Sequence, residues 1–412
     1  MDTIVYAIPV FMVMIAIEIV ATIIRKKDYY RLNDAINSLS AGMMSITSGI
    51  ILKIVEVTIY TGIFSLVALI EFNSSDLWVW LVAFVFYDFC YYWTHRMGHE
   101  INILWAAHAV HHQSEEYNLT TALRQTSSRF ILGWLFYIPM AVIGIPPLVF
   151  FTVGLINLLY QFWVHTRHIH KLGWYENFFV TPSNHRVHHA KNRKYLDKNY
   201  GGVFIIWDRF FGTFQEEDEN YEAIRYGTLK PLRSWNPFWA NLHLYSDMWK
   251  DAKATKSWKD KFTLWFRKTG YRPADVAAPM KMPDIHGYQN FDPALSRFRQ
   301  IYVGVQFFLL IIGTTALMAV YHTTPTWFDT LWIVVLGINL VMNGSVMEKP
   351  NQAMKLECLR FGITAIALAV TTTLMPVASI VWVGLVMLTA VSLTCLRRFS
   401  NTSEPTTAAI ES

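Results

Sequence analysis

The chain has 412 residues, of which 53% are hydrophobic and only 16% are charged. This composition is too apolar for an ordinary soluble domain, and the sixteen tryptophans and twenty tyrosines suit a protein with wide membrane interfaces. The formal charge of +5 is modest and gives no reason to expect a nucleic-acid partner. The three cysteines, Cys90, Cys358 and Cys395, are scattered on apolar segments, so a disulfide framework is not expected.

The first part of the chain predicts membrane helices over residues 1–76. An apolar run over 4–24 is long enough to span a bilayer, and the basic run 25–31 that follows it should stay in the cytoplasm. A second apolar stretch over 39–72 is about 45–50 Å long if it is helical, so we expect part of it in the interface. A third stretch over 77–94 then returns the chain to the cytoplasmic side.

The next region, 77–300, combines membrane segments with a polar cap. The apolar block 130–164 is interrupted by Gly-Ile-Pro-Pro at 144–147, which predicts a hairpin that crosses the membrane and returns. The polar segment 165–300 contains 22 Lys and Arg against 14 Asp and Glu, as expected of a cap near anionic headgroups.

The last part of the chain predicts a second membrane block. Apolar stretches near 301–321, 327–347, 358–375 and 377–396 predict a C-terminal four-helix block over 301–399, and the polar tail 400–412 is expected to be disordered. The predicted fold class is therefore all-α: a polytopic membrane helical bundle with a cytoplasmic, histidine-rich cap that binds two metals.

Eleven of the fourteen histidines lie between positions 95 and 189, in three clusters. They are His95, His99, His108, His111 and His112; then His165, His168 and His170; and finally His185, His188 and His189. Spacings of three and four place side chains on one helix face. Neutral imidazole is the commonest metal ligand, and this number is too large for one tetrahedral zinc. The pattern favours two metals with mostly nitrogen ligands over surface or stacking histidines, but it suits Fe, Zn and Cu about equally.

Two carboxylates near the first cluster are candidate catalytic residues. Asp88 lies two helical turns before His95, so it could accept a hydrogen bond from a ligand imidazole; alternatively, it pairs with a neighbouring tyrosine or Arg96. Glu100 directly follows His99 and could be a ligand, a proton relay or a salt-bridge partner of Arg96, four residues away.

At these residues the chain resembles the fatty acid hydroxylase/sterol desaturase superfamily. Its signature HxxxH, HxxHH, HxxHH is met at 95–99, 108–112 and 185–189. Further segments, among them WAAHAVHHQSEEYNLTTALRQ and TPSNHRVHHAKNRKYLDKNYGGVFIIWDRFFGTF, are similar to the alkylglycerol monooxygenases, membrane enzymes that cleave ether lipids with tetrahydrobiopterin. The similar stretches cover about 80–250.

The resemblance implies a di-iron centre and assigns roles to residues. One iron would be held by His95, His99, His108, His111 and His185. The other would be held by His112, His165, His188 and His189, with His168 or His170 completing it. Related hydroxylases carry a histidine where this chain has Ile169. A glutamate directly after HxxxH is needed for activity in the family, which makes Glu100 a catalytic candidate. Tyr117, Asn118, Thr120 and Arg124 are candidates for contacts to substrate or ligands.

The implied reaction is O₂-dependent hydroxylation of the carbon next to the ether oxygen of a membrane alkylglycerol, which then releases a fatty aldehyde. The electron donor would be tetrahydrobiopterin or a redox protein. The membrane would be the bacterial inner membrane or the endoplasmic reticulum. A sterol, fatty acyl or carotenoid hydroxylase or desaturase is the nearest alternative. A membrane protein that binds, senses or transports metal is an alternative of another class, but it would place ionisable residues along a transmembrane path.

Overall fold

The computed structural model describes residues 2–277, 282–320, 326–374 and 390, and these residues form helices and loops without a β-strand. The helices are α1 (Asp2–Ile24), α2 (Leu32–Val67), α3 (Leu77–Glu100), α4 (Asn102–His112), α5 (Leu119–Ala122), α6 (Ile138–Ile143), α7 (Pro147–Trp163), α8 (Pro182–His188), α9 (Ile206–Phe210), α10 (Pro237–Ala254), α11 (Trp258–Thr263), α12 (Arg297–Val320), α13 (Trp327–Glu348) and α14 (Ala353–Leu374). The helix predicted near 377–396 and the tail from 400 lie outside the described residues.

Five of the described helices, α1, α2, α3, α12 and α13, are long and apolar enough to cross a membrane. The prediction of an all-helical membrane protein is therefore confirmed. The described residues divide into two compact units. One contains 9–233 and 239–290, and the other contains 234–238, the first eight residues and the part from 291 onward.

The long helix α2 changes character along its length. Its first turns bury polar side chains such as Asn33, Asp34 and Asn37, which are all less than 9% exposed. Its second half exposes Ile54 and Leu66 instead. Buried polar groups need hydrogen-bond partners, whereas exposed aliphatic side chains suit lipid. The first half of α2 thus belongs to the cap and the second half to the membrane.

The helices α6 and α7 form the expected hairpin, and its turn meets the connection between α2 and α3. Gly144 has a φ of +108°, and a Cβ at this position would lie 1.4 Å from the Ile70 carbonyl oxygen, so only glycine fits. Leu69 N–H donates to the Val142 carbonyl at 2.8 Å. Because the turn reaches the loop between two candidate spans, the hairpin covers the same depth as those spans.

Aromatic side chains pack α2, α3 and the hairpin together. Tyr60 stacks on Phe150 with ring centroids 3.8 Å apart, and Tyr87 lies 5.5 Å from the same ring. Val79, Ala83 and other small apolar residues complete this buried cluster. The packed helices hold the C-terminal end of α3, where the first histidine motif lies.

The C-terminal unit buries polar groups between its helices. Arg360 on α14 pairs with Glu357 on the same helix and donates to Gln306 Oε1 on α12 at 2.7 Å. Tyr302 donates its hydroxyl to Glu357 Oε2 at 2.6 Å. Pairing of this kind is what allows charged residues to persist in an apolar helix bundle.

Candidate metal centre

Nine of the predicted histidines converge in two groups, and all nine are buried or half-buried. The first group contains His95, His99, His108, His112 and His188, and the second contains His111, His165, His185 and His189. Within each group the candidate ligand atoms lie within 4.8 Å of one another. Rings of the two groups touch: His112 stacks on His189 with centroids 4.3 Å apart. The sequence prediction of one composite site with two metal positions matches this geometry.

Local helix geometry places the third motif. Pro182 occupies the first turn of α8, where a missing N–H costs nothing, and the Thr181 side chain accepts from the Asn184 N–H in a capping box. The Thr181 hydroxyl also donates to Glu176 Oε1 at 2.7 Å, which anchors the cap. On the seven-residue helix that follows, His185 and His188 are a turn apart. They share a face, as their spacing predicts.

The α3–α4 corner brings the first two motifs together. A Cβ at Gly98 would lie 3.5 Å from the His108 side chain, so the two helices approach closely here. The Asn102 side chain, at the start of α4, ties the corner to the segment after α11 by donating to the Leu264 carbonyl at 2.9 Å. His95 and His99 on α3 thereby face His108 on α4.

Four imidazoles donate their Nδ1–H groups to backbone carbonyl oxygens. The pairs are His95 with Tyr200 at 2.7 Å, His111 with Arg124 at 2.9 Å, His165 with Gln161 at 2.8 Å and His188 with Lys198 at 2.9 Å. A carbonyl can only accept, so the proton is on Nδ1 and each Nε2 carries a free lone pair. Fixing the ring and its tautomer through the second nitrogen is the usual support for a metal-binding histidine.

The Nε2 atoms face one another at short distances. Neighbouring Nε2 atoms are 3.0–3.2 Å apart in the pairs His95–His108, His108–His112, His112–His188, His111–His165, His165–His185 and His185–His189. Nitrogen ligands about 2.1 Å from a common ion lie about 3.0–3.4 Å apart, in octahedral or tetrahedral geometry. The donor set and its spacing therefore fit one metal ion in each group.

Burial favours the neutral form of the imidazoles on α4 and α8 and of His189, the residue after α8. It lowers the pKa of His111 from the ordinary 6.5 to about 4. Burial, and after it the neighbouring imidazoles, also lower the pKa values of His108, His112, His185 and His189. Neutral imidazole is the form that binds metal, so the site is ready to bind at physiological pH.

Among the described residues, no carboxylate belongs to either histidine group. The nearest approach is Asp197 Oδ1, which lies 3.7 Å from His99 Nδ1. The other nitrogen of this ring, His99 Nε2, is buried without a hydrogen-bond partner, as a free ligand atom would be. Soluble di-iron proteins hold their metals largely with glutamates, so this centre is chemically distinct from theirs.

The structure groups the histidines differently from the division that the family resemblance implies. His112 and His188 lie in the group with His95, whereas His111 and His185 lie in the group with His165. The two remaining candidates, His168 and His170, lie outside both groups. His170 is exposed and belongs to neither group. His168 Nε2 contacts Thr22 Oγ1 on α1 at 2.8 Å instead.

Asp88 is fully buried, but its hydrogen-bond partners are neither a ligand imidazole nor the neighbours considered for it. Its Oδ1 accepts from Asn157 Nδ2 at 2.6 Å and from Val203 N–H at 2.8 Å. Its Oδ2 accepts from Phe204 N–H and from Trp207 Nε1–H, both at 3.0 Å. Asp88 therefore anchors the loop before α9, and that loop supplies the carbonyl that orients His95.

Glu100 forms the salt bridge that the sequence allowed. Its Oε1 accepts from Arg96 Nε at 2.8 Å, and its side chain is 35% exposed. It lies in neither histidine group, although it directly follows His99 in α3. A ligand role does not fit this position.

The other candidates from the resemblance form hydrogen bonds with the backbone near the candidate ligands. The Arg124 guanidinium is buried and donates to the Val110 carbonyl at 2.6 Å, while its own carbonyl orients His111. Asn118 caps α5 through its side chain. Tyr117 donates its hydroxyl to the Val164 carbonyl at 2.8 Å, beside His165.

Two acidic residues with a supporting role were missed. Glu18 on α1 is 6% exposed and lies within hydrogen-bond distance of the Thr166 hydroxyl. Asp208 accepts from Tyr200 N–H and from the Thr213 hydroxyl, both at 2.7 Å, and burial raises the pKa of Asp208 to about 6. Glu18 could have been noticed, because a charge inside an apolar run is expensive unless it is paired.

The helical fold with its candidate membrane spans and the two histidine groups together indicate a metal-binding membrane protein. The profile of the fatty acid hydroxylase family matches residues 80–213. The chain is 37% identical to human alkylglycerol monooxygenase over 369 residues, which is 86% of this chain and 82% of the human protein. It is 39% identical to alkylglycerol monooxygenase of Xenopus tropicalis, over 85% of this chain and 78% of that protein.

The chain therefore belongs to the alkylglycerol monooxygenase family, and it is an oxygen-dependent oxidoreductase. A shorter similarity, 32% identity over 138 residues, links it to an ornithine lipid hydroxylase of Rhizobium tropici. That match covers 32% of this chain and 41% of the hydroxylase. No solved structure matches the chain.

Proposed function

We propose that this protein hydroxylates the ether-linked methylene of alkylglycerol lipids with O₂. One oxygen atom enters the C–H bond, and the other leaves as water after uptake of two electrons and two protons. The resulting hemiacetal breaks its C–O bond to the glycerol oxygen and gives a fatty aldehyde and a free glycerol hydroxyl. The similarity to alkylglycerol monooxygenases over most of the chain carries this proposal.

Two iron ions are the proposed occupants of the histidine groups, and tetrahydrobiopterin is the proposed two-electron donor. When bound, the iron ions would supply the activation of O₂ that a saturated C–H bond requires. The nine imidazoles would hold them through Nε2 atoms, and the carbonyls of Tyr200, Arg124, Gln161 and Lys198 would keep the rings oriented. Ligand chemistry alone also suits zinc or copper, so metal analysis has to establish the identity.

The remaining task of the protein is to hold the substrate and move protons. The ether methylene has to lie within about 3–3.5 Å of the oxidant. The burial of the histidines excludes water, which limits side reactions. We assign Glu100 to proton transfer, because it is half-exposed and next to His99. Its partner Arg96 would hold the carboxylate at the edge of the site.

The decisive assay uses purified, iron-loaded protein, a fluorescent alkylglycerol and O₂, with and without tetrahydrobiopterin. Aldehyde release that depends on the pterin is the expected result. The double variant His95→Ala/His111→Ala, which removes one ligand from each group, should release none. Absence of aldehyde from the wild-type protein with two irons bound would contradict the proposal and direct attention to sterol and acyl-chain substrates with a redox-protein donor.

We also propose that the histidine site faces the cytoplasm. The basic residues after α1 and the excess of Lys and Arg over 165–300 support this orientation. Single cysteines introduced at 69 and at 229 can be labelled in intact cells with a membrane-impermeant maleimide. Labelling at 69 and protection at 229 are expected, and the reverse pattern would invert the topology.

A further inference from the structure

A strongly basic segment runs from the end of α10 through α11. Residues 249–272 contain eight lysines and arginines and two aspartates, which gives this stretch a formal charge of +6 against +5 for the whole chain. Both acidic side chains are already engaged. Asp251 pairs with Arg272 at 2.6 Å, and Asp260 accepts from the Tyr271 hydroxyl at 2.7 Å. The segment thus presents a surface of positive charge.

Large aromatic side chains stand out from the same surface. Trp258, Phe262 and Phe266 are 71%, 69% and 64% exposed, and Trp249 is 55% exposed. Trp258 and Phe262 stack with centroids 6.2 Å apart, and the Lys253 ammonium lies 5.1 Å from the Trp249 ring centroid. A contiguous set of exposed aromatic side chains marks an interaction surface, whereas scattered ones need no explanation.

The opposite side of the segment is packed against α4. Leu264, Met248 and Ala252 form a buried cluster with Ala106 of that helix. Because these residues fix its inner side, the aromatic side chains of the outer side cannot fold back into this core. Their exposure is therefore a property of the folded chain.

Backbone hydrogen bonds hold the segment at the end of a candidate membrane span. Asn102 N–H donates to the Arg267 carbonyl, and Thr269 N–H donates to the Glu100 carbonyl, both at 3.0 Å. The span α3, Leu77–Glu100, ends at this point, so Glu100 lies at one surface of the bilayer. The basic and aromatic side chains therefore lie at the level of the lipid headgroups.

We propose that residues 249–272 form an interfacial element that binds anionic phospholipid headgroups of the surrounding membrane. Aromatic rings such as those of Trp258, Phe262 and Phe266 are enriched at membrane–water interfaces, where one side is apolar and the other wet. The charged groups of the lysines and arginines then lie against the lipid phosphates.

This contact has a consequence for the metal centre. The element is joined to the corner between α3 and α4, and the Thr269 hydroxyl donates to the carbonyl of His99 itself. Binding of the headgroups would brace the corner that holds His99 and His108 against each other.

The test compares full-length protein in nanodiscs of neutral phosphatidylcholine with nanodiscs that also contain anionic phosphatidylglycerol. Lysines are labelled with an amine-reactive reagent and quantified by mass spectrometry. Labelling of Lys256, Lys259 and Lys268 should fall about threefold or more in the anionic discs. High salt, which shortens the screening length to about 3 Å at 1 M, should restore the labelling. Lys194, which pairs with Asp218 in an acidic stretch, is the internal reference and should not change.

A variant separates the aromatic contribution. Trp258→Ser/Phe262→Ser/Phe266→Ser should lose most of the protection in anionic discs while keeping the wild-type labelling of Lys194. Equal labelling of the three lysines in both kinds of disc would overturn the proposal and favour an acidic protein partner. Protection of Lys194 to the same extent as the three lysines would also overturn the proposal, because anionic lipid would then lower the labelling of lysines in general.

Discussion

Glu18 Oε1 accepts a hydrogen bond from Thr166 Oγ1 at 2.5 Å, and this contact joins the first membrane helix to the residue after His165. The other carboxylate oxygen accepts from the Leu119 N–H at 2.8 Å and from the Tyr30 hydroxyl. One buried carboxylate thus ties α1 to two segments that are distant in sequence, at Leu119 and Thr166, and to Tyr30 in the loop that follows α1. The Thr166 carbonyl in turn accepts from Arg186 at 3.0 Å, next to His185.

Glu18→Gln should therefore weaken the second histidine group selectively. A glutamine offers one accepting oxygen, so at least one buried donor loses its partner, at a cost of about 1–3 kcal/mol. We expect the iron content of the purified variant to fall from two towards one per chain, measured by elemental mass spectrometry. Glu357→Gln, at an equally buried carboxylate in the other compact unit, should retain two. Two tightly bound irons in Glu18→Gln would contradict the positioning role.

The division of ligands between two metals can be tested with pairs of substitutions. His111→Ala/His165→Ala removes two ligands from one group, so one iron should remain. His95→Ala/His111→Ala removes one from each group, so both irons should be lost or bound weakly. The division expected from family resemblance predicts the opposite for each pair. Iron content, together with circular dichroism to confirm folding, distinguishes the two.

His243→Ala is a suitable control for these pairs. His243 is a buried histidine on α10 that donates to the Ala240 carbonyl and lies in neither group. Its removal leaves a comparable cavity without removing a proposed ligand. Iron content at the wild-type level is expected, and a loss here would show that burial, and not ligation, explains the other variants.

Histidine spacing predicted which side chains gather, and helix geometry accounts for part of the way in which they divide. Adjacent residues of a helix point about 100° apart. His111 and His112 are neighbours in this way, and so are His188 and the C-cap residue His189. Each pair therefore sends its members to different groups. The expectation separated the first pair but kept the second together, although the same rule applies to both.

The supporting carboxylates could not be assigned from the sequence, because their partners are remote. Asp88 lies within a few residues of Tyr91, Tyr92 and Arg96, and these neighbours were the natural candidates. Its actual partners lie 69 to 119 positions further along the chain. The apolar pattern of α3 identified a buried carboxylate in need of donors. Only the packing of the hairpin and the loop before α9 determines which donors these are.

Asp88→Asn should loosen that loop and, through it, the first histidine group. Asparagine replaces one of the two accepting oxygens by an NH₂ group. In one orientation this group faces the donors of Asn157 and Val203, and in the other it faces those of Phe204 and Trp207. At least two buried hydrogen bonds are lost, at about 1–3 kcal/mol for each unsatisfied group. A lower midpoint of thermal unfolding and weaker iron binding are expected.

Asp247→Asn, at a partly exposed carboxylate paired with Lys230, serves as the matched control, since surface pairs contribute about 0–1 kcal/mol. Its unfolding midpoint should stay near that of the wild type. If Asp88→Asn behaved like this control, the anchoring role of Asp88 would have to be abandoned.

The metal-free protein should lose stability as the pH falls below about 6.5. Burial lowers the pKa of His111 from 6.5 to about 4, so the folded state resists a proton that the unfolded chain accepts. The unfolded state therefore binds more protons between these two values, and the free energy of unfolding decreases as the pH falls through this window. Above 6.5 the contribution is fully present. The midpoint of thermal unfolding, followed by circular dichroism in detergent from pH 7.5 to 4.5, should fall steadily below 6.5. A midpoint that stays constant down to pH 5 would show that the imidazoles are not held neutral by burial.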